Sequence, residues 1–231
     1  MHKQFIKELK GIARDKMLMD VFADVVRTMQ LALVAQTVID PERQKKIQDE
    51  YQGLLERYGV NGVGIMVKLF AMVVESLEAK REDFLGHVLE EIGAANKNNG
   101  QFFTPSAVGR AMAELTSDGL GYTPGKPITV ADNAGGSGVL LIEQAEALLK
   151  RGIPMGDILV LHGDIDARSC DIAYVQFTLL GYPAIVCHQD GLTGEFYREP
   201  MYTLGYYRHC FPMRGIDPIR EAKNEETRSN R

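Results

Sequence analysis

Apolar residues recur at helical spacing through the first 95 or so positions. Met17, Val21, Val25 and Met29 fall every four residues, and Leu18, Phe22 and Val26 run beside them, so one helical face is predicted to be buried. Asp40-Pro41-Glu42 reads as a cap, a first-turn proline and a first-turn acid. The helix it opens carries Ile47, Tyr51, Leu54 and Tyr58, and Gly59 is expected to stop it. Ile65 to Leu77 is apolar nearly all round and predicts a central helix, and Phe84, Val88 and Ile92 mark a fourth. The polar, asparagine-rich stretch Gly93–Pro105 breaks the pattern as a loop. Thr104-Pro105 is placed to cap a helix whose apolar positions are Val108, Met112 and Leu115, ending near Gly119.

From Ile128 the period changes. Ile128–Asp132, Asp157–Gly163 and Ala184–His188 read as strands, with helices over Val139–Lys150 and Arg168–Leu180 between them. Alternating strands and helices on short connections imply a parallel sheet with right-handed crossovers. The chain is therefore expected to be α/β: a helical domain over residues 1–95, then a partial Rossmann-like domain over 96–231.

Composition narrows the function classes without choosing one. The 231 residues are 45% hydrophobic and 25% charged, an ordinary profile for a water-soluble domain. A net charge of −5 offers no general attraction to nucleic acid or anionic membrane, so any DNA contact needs a local basic patch. The apolar runs read as too short to cross a bilayer, and "MHKQFIKELK" has no signal-peptide core. Cys170, Cys187 and Cys210 are widely spaced, which argues against a disulfide framework or zinc site and makes a reducing cytoplasm the default expectation.

The chemistry concentrates where the strands end. "DNAGGSG" (Asp132–Gly138) joins the first strand to its helix. Gly135, Gly136 and Gly138 let a ligand approach the backbone, where helix N–H groups favour its negative part. A tight turn that only packs helix on strand is the plainer alternative. Asp132 stands ready to accept hydrogen bonds or hold a cationic group. After the second strand, Asp164 is placed to bind both hydroxyls of a ribose; Asp166 is a second candidate, or simply a helix cap. After the third, Asp190 either reads an adenine amino group or is a turn aspartate before glycine.

"GQFFTP" (Gly100–Pro105), "DNAGGSG", "GDIDARSCDIAYVQFTLLG" (Gly163–Gly181) and "DGL" (Asp190–Leu192), in that order, resemble the N6-adenine DNA methyltransferases. The resemblance is strongest to the modification subunits of type I restriction–modification systems, which place a helical domain before the catalytic one. It implies an S-adenosylmethionine site made by Gln101, Phe102, Phe103, Thr104 and Pro105, by Asp132, Ala134, Gly135, Gly136 and Gly138, and by Asp164 and Asp190. Asn133 and Gly135 depart from the family pattern, which has proline and cysteine or alanine there. The family's transfer motif, a polar residue, two prolines and an aromatic, is absent, since no Pro-Pro pair occurs. "EPMY" (Glu199–Tyr202) is the nearest echo, with an irregular loop as its plainer reading. The family's sheet also has more strands than the three placed here, which leaves one edge of Ile128–Asp132 without a partner. Phe196–Met213, rich in aromatics, is expected to fold back on that edge or to meet a second subunit. Three functions compete: a DNA adenine methyltransferase, a cofactor- or partner-binding module without transfer, and a purely structural protein.

Overall fold

The computed structural model describes residues 1–94 and 104–210. Gln101, Phe102 and Phe103 lie outside the described residues, as does everything after Cys210.

The helical half comprises α1 (His2–Ala13), α2 (Leu18–Val34), α3 (Pro41–Ala79) and α4 (Phe84–Ala94). Val21, Phe22, Val25, Val26 and Met29 of α2 are buried, as their spacing predicts, but Met17 is exposed because it lies just outside the helix as its N-cap. Asp40 caps α3 as expected, its Oδ1 accepting the Arg43 N–H at 2.7 Å. At Gly59 the backbone leaves helical geometry (φ 60°, ψ −179°), so α3 is two helices joined at a kink. The second of these buries a single stripe, Met66, Leu69, Met72, Val73 and Leu77, while Val67 is exposed. It is therefore not the all-round buried helix its composition suggests. By length and composition alone α3 is long and apolar enough to cross a membrane, which the short apolar runs did not indicate.

Next comes α5 (Ser106–Ser117), which corrects the sequence reading twice. Pro105 occupies its N-cap position and no side chain caps it, so Thr104 does not play that role. Its buried face is Gly109, Ala113 and Ser117, packed against the helix that follows the first strand, whereas Val108, Met112 and Leu115 point outward. Small residues win that face because two helices in close contact leave no room for larger ones: a Cβ at Gly109 would lie 3.3 Å from Leu140.

The α/β part runs β1 (Ile128–Asp132), α6 (Val139–Lys150), β2 (Ile158–Asp164), α7 (Ala167–Leu179), β3 (Ala184–His188), β4 (Met201–Tyr202) and α8 (Leu204–His209). Strand order is β1-β2-β3-β4, with β1, β2 and β3 parallel and β4 antiparallel to β3. Val130, Ile158, Val160, Ala184 and Val186 face α6, α7 and the helical half in one buried cluster. Leu159, Ile185 and Cys187 face the other way, under Tyr206 and Cys210. The result is a mixed, mostly parallel α/β sheet behind N-terminal helices, a partial Rossmann-like fold.

The aromatic segment takes the opposite edge from the one expected. β4 pairs with β3, and among the described residues no strand pairs with the outer edge of β1, where Thr129 and Ala131 are exposed. Thr203, fully buried, explains the choice. Its Oγ donates to the Tyr182 carbonyl at 2.7 Å and accepts the Ala184 N–H at 3.0 Å. Gly205 then lies so close to the Gly181 and Tyr182 carbonyls that no Cβ would fit.

Candidate functional site

The ends of β1, β2 and β3 meet in one place. The loop after β1 is tied to β2 by Gly135 N–H to the Gly163 carbonyl (3.0 Å) and by Gly136 N–H to Asp164 Oδ2 (2.8 Å). The loop after β3 is tied to the same strand by Gln189 N–H to the Asp164 carbonyl (2.9 Å). Gly191 approaches Asn133 so closely that an added Cβ would sit 2.6 Å from its carbonyl oxygen. The three strand tips that the sequence singled out are thus neighbours, and Asp132, Asp164 and Asp190 all lie around them.

The glycines have separate reasons to be glycine. Gly136 (φ 54°) and Gly138 (φ 93°) adopt the left-handed backbone that other residues avoid, and no side chain caps α6 at Gly138. Gly135 is fixed by sterics instead: an added Cβ would lie 2.5 Å from the His162 ring. The departure from cysteine or alanine at 135 is therefore matched by a histidine packed beneath it. His162 is buried, its Nε2 is 2.9 Å from the Gly136 carbonyl, and its ring packs edge-on to Phe177. Since a carbonyl only accepts, Nε2 carries the proton. Nδ1 is buried without a hydrogen-bond partner. Burial pushes the imidazole pKa down, opposed by the bond to Gly136 and the nearby Asp164 and Asp132 charges. His162 is accordingly a packed residue, and one that supports the glycine loop.

The acids are more occupied than sequence reasoning supposed. Asp132 Oδ1 accepts the Ala134 N–H at 3.0 Å. Asp164 is only 9% exposed, and each carboxylate oxygen already takes a backbone N–H: Oδ2 that of Gly136, Oδ1 that of Asp166 (2.8 Å). Each oxygen keeps a second lone pair, so a ribose contact would add to the loop-holding role rather than replace it. Asp166 caps α7 through the Arg168 N–H, the plainer of its two readings. Asp190 Oδ1 accepts the Leu192 and Thr193 N–H groups, and those bonds hold its carboxyl below the usual range. It forms the turn that the sequence left open as an alternative.

Two apolar side chains at the tips were missed: Ile165, 63% exposed, and Leu192, 99% exposed. Each is within two residues of a candidate acid, and a large aliphatic group left bare beside an acid at a strand end was the available signal. His188, at the end of β3, has its Nε2 3.1 Å from the Ile165 carbonyl and its ring against Tyr197. Of the "GQFFTP" stretch, Thr104 is partly buried and Pro105 exposed; Gln101, Phe102 and Phe103 lie outside the described residues. Cys170 and Cys187 are buried thiols, Cys170 with its pKa pushed up to about 12 by burial, which fits small core residues rather than nucleophiles. "EPMY" belongs to the β3 edge, with Met201 and Tyr202 in β4, not to the open side of β1. Among the described residues no cluster of three or more His, Cys, Asp or Glu side chains is placed to hold a metal.

The arrangement suits a ligand with hydrogen-bond donors, a positive group and a flat ring. The carboxylates keep lone pairs for such donors and negative charge for the cation, and Ile165 and Leu192 are exposed beside them. No curated protein and no solved structure matches this chain. A family model does: residues 80–182 match the one described as N-6 DNA Methylase, a span that runs from the end of α3 through the glycine loop and Asp164 to the end of α7. Over those residues the chain is similar to the N-6 DNA methylase family.

Proposed function

We propose that the strand-tip crevice binds S-adenosylmethionine, and that the chain is a DNA adenine-N6 methyltransferase-like protein related to type I modification subunits. The observation that carries this reading is the joint geometry of glycine loop and acid. A left-handed glycine turn opens α6, and the acid at the end of β2 holds that turn by its Gly136 amide. S-adenosylmethionine supplies an electrophilic methyl group on a sulfonium centre. Asp164 is the candidate for the ribose hydroxyls, Asp132 for the cationic end, and the amides opening α6 for the carboxylate. Ile165 and Leu192 would flank the adenine, with Asp190 beside its amino group. Gln101, Phe102, Phe103, Thr104 and Pro105 enter by resemblance.

A second reading has its own support. "EPMY" lies on the β3 edge and no Pro-Pro motif exists, so the groups that would accept an adenine amine are not identified in this chain. In this reading the protein binds cofactor, or a partner, without transferring methyl. A partner subunit or second copy covering the open edge of β1 would reconcile the two by completing the site. Incubation with methyl-labelled S-adenosylmethionine and adenine-containing duplex DNA separates them. Label retained by the protein and passed to adenine supports the enzyme; label retained but never passed on leaves the binding module.

A further inference from the structure

We propose that Asp83 is a positioning residue for the glycine loop, through which the helical half sets the loop's shape and its affinity for cofactor. The affinity part rests on the reading just given. The positioning part stands on geometry alone.

Asp83 lies between α3 and α4, in the helical half, and is 5% exposed. Its carboxyl group takes three donors. Oδ1 accepts the Gly86 N–H at 2.9 Å and the Gln176 amide at 2.8 Å, and Oδ2 accepts the Ser137 hydroxyl. Among the described residues it makes no ion pair, so hydrogen bonds alone satisfy it. Ser137 is 3% exposed and stands between Gly136 and Gly138, the two left-handed glycines of the loop. Gln176, fully buried on α7, closes the network: its amide also donates to the Ser137 carbonyl at 3.1 Å, and its Oε1 accepts the Leu85 N–H at 2.9 Å.

The loop is therefore gripped from two directions. From β2, Gly163, Asp164 and His162 hold Gly135 and Gly136, as any strand-turn-helix unit might arrange. From the helical half, Asp83 holds Ser137 on both its side chain and, through Gln176, its backbone. With a permissive glycine on each side, the Ser137 peptides are free to turn once that second grip is released. The start of α4 is itself packed: Phe84 lies against His2 and Phe5 of α1. A shift of α4 on α1 thus reaches the first residues of α6 through the Asp83 carboxyl group and, by way of Leu85, through Gln176. A fully satisfied buried network of this kind defines a single geometry; a partly broken one does not.

The test compares Ser137→Ala, Ser137→Cys and Asp83→Asn with the parent protein by amide hydrogen exchange without ligand and by S-adenosylmethionine titration. Ser137→Cys keeps the shape and a weak donor. Exchange in Gly135–Val139 should rise tenfold or more in Ser137→Ala and Asp83→Asn, and less in Ser137→Cys. Protection in α2 and β2 should stay as in the parent, which a general loss of stability would not allow. Cofactor binding should weaken about tenfold in the same order, and the double variant should lose no more than either single one. Loop exchange unchanged in Ser137→Ala overturns the positioning role. Loop exchange raised while cofactor affinity stays the same overturns the link to affinity. A parent protein that binds no cofactor refutes the proposed function instead, and the exchange result still decides the positioning role.

Discussion

His162 shows how far one residue can depart from its apparent part. By sequence it is a histidine inside an apolar strand, and packing is what it does. Its position under Gly135 and its bond to the Gly136 carbonyl make it a support for the turn. Burial lowers its pKa below the ordinary 6.5. The folded state then binds fewer protons than the unfolded state, so this contribution to stability is complete above about pH 6.5. It is lost as pH falls from there through the folded value. Urea unfolding between pH 8 and 5 should show a decline that His162→Gln, which keeps an amide donor, reduces. An equal decline in parent and variant would remove His162 as its source. The acids illustrate the reverse error. Asp190 makes the turn bonds to Leu192 and Thr193 that one reading of the sequence allowed, but the bonds of Asp164 to Gly136 and Asp166 were invisible in it. Such bonds depend on loop paths, and residue order does not encode those directly.

The strands and helices from β1 to β3 were read most easily. β1, α6 and β3 have the boundaries their patterns predict, and β2 and α7 differ by one residue. Continuous apolar runs bounded by turn residues leave few alternatives there. α5 was misjudged because close helix packing favours small residues over large ones, so the hydrophobic stripe of Val108, Met112 and Leu115 lies on the wrong side. β4 was missed because two residues are too few for a period. Its signal was chemical, a threonine and a glycine in "TLG" (Thr203–Gly205), needed where the chain crosses the Gly181–Ala184 backbone. Thr203→Val keeps the shape but strands the buried Ala184 N–H, which accounts for about 1–3 kcal/mol of stability. Chemical denaturation should register that loss; a variant as stable as the parent would mean the β3 edge is held by other contacts.

For the whole molecule, the question is how the helical half serves the sheet. Buried residues of both halves form one cluster, and α2 lies along α7. Asp171 of α7 bridges the two, taking Arg27 of α2 at 3.3 Å and Arg198 at 2.7 Å. Its side chain is 8% exposed, and burial raises its pKa against the pull of both arginines. Replacing it with alanine leaves two partly buried guanidinium groups short of a partner and should cost about 1.5–3 kcal/mol, the range for hydrogen bonds to charged groups. Calorimetric unfolding should remain a single transition at lower temperature. A variant that melts in two steps would show that the halves unfold separately.

Whether the β1, β2 and β3 tips form a cofactor site is decided by isothermal titration of the purified chain with S-adenosylmethionine, beside Asp164→Ala. Binding should saturate at one site per chain and weaken in the variant by about 1–3 kcal/mol, roughly 5- to 150-fold, as a hydrogen-bonding group and a loop anchor are lost together. No heat from the folded parent at high micromolar ligand, or equal affinity in the variant, would contradict a site there.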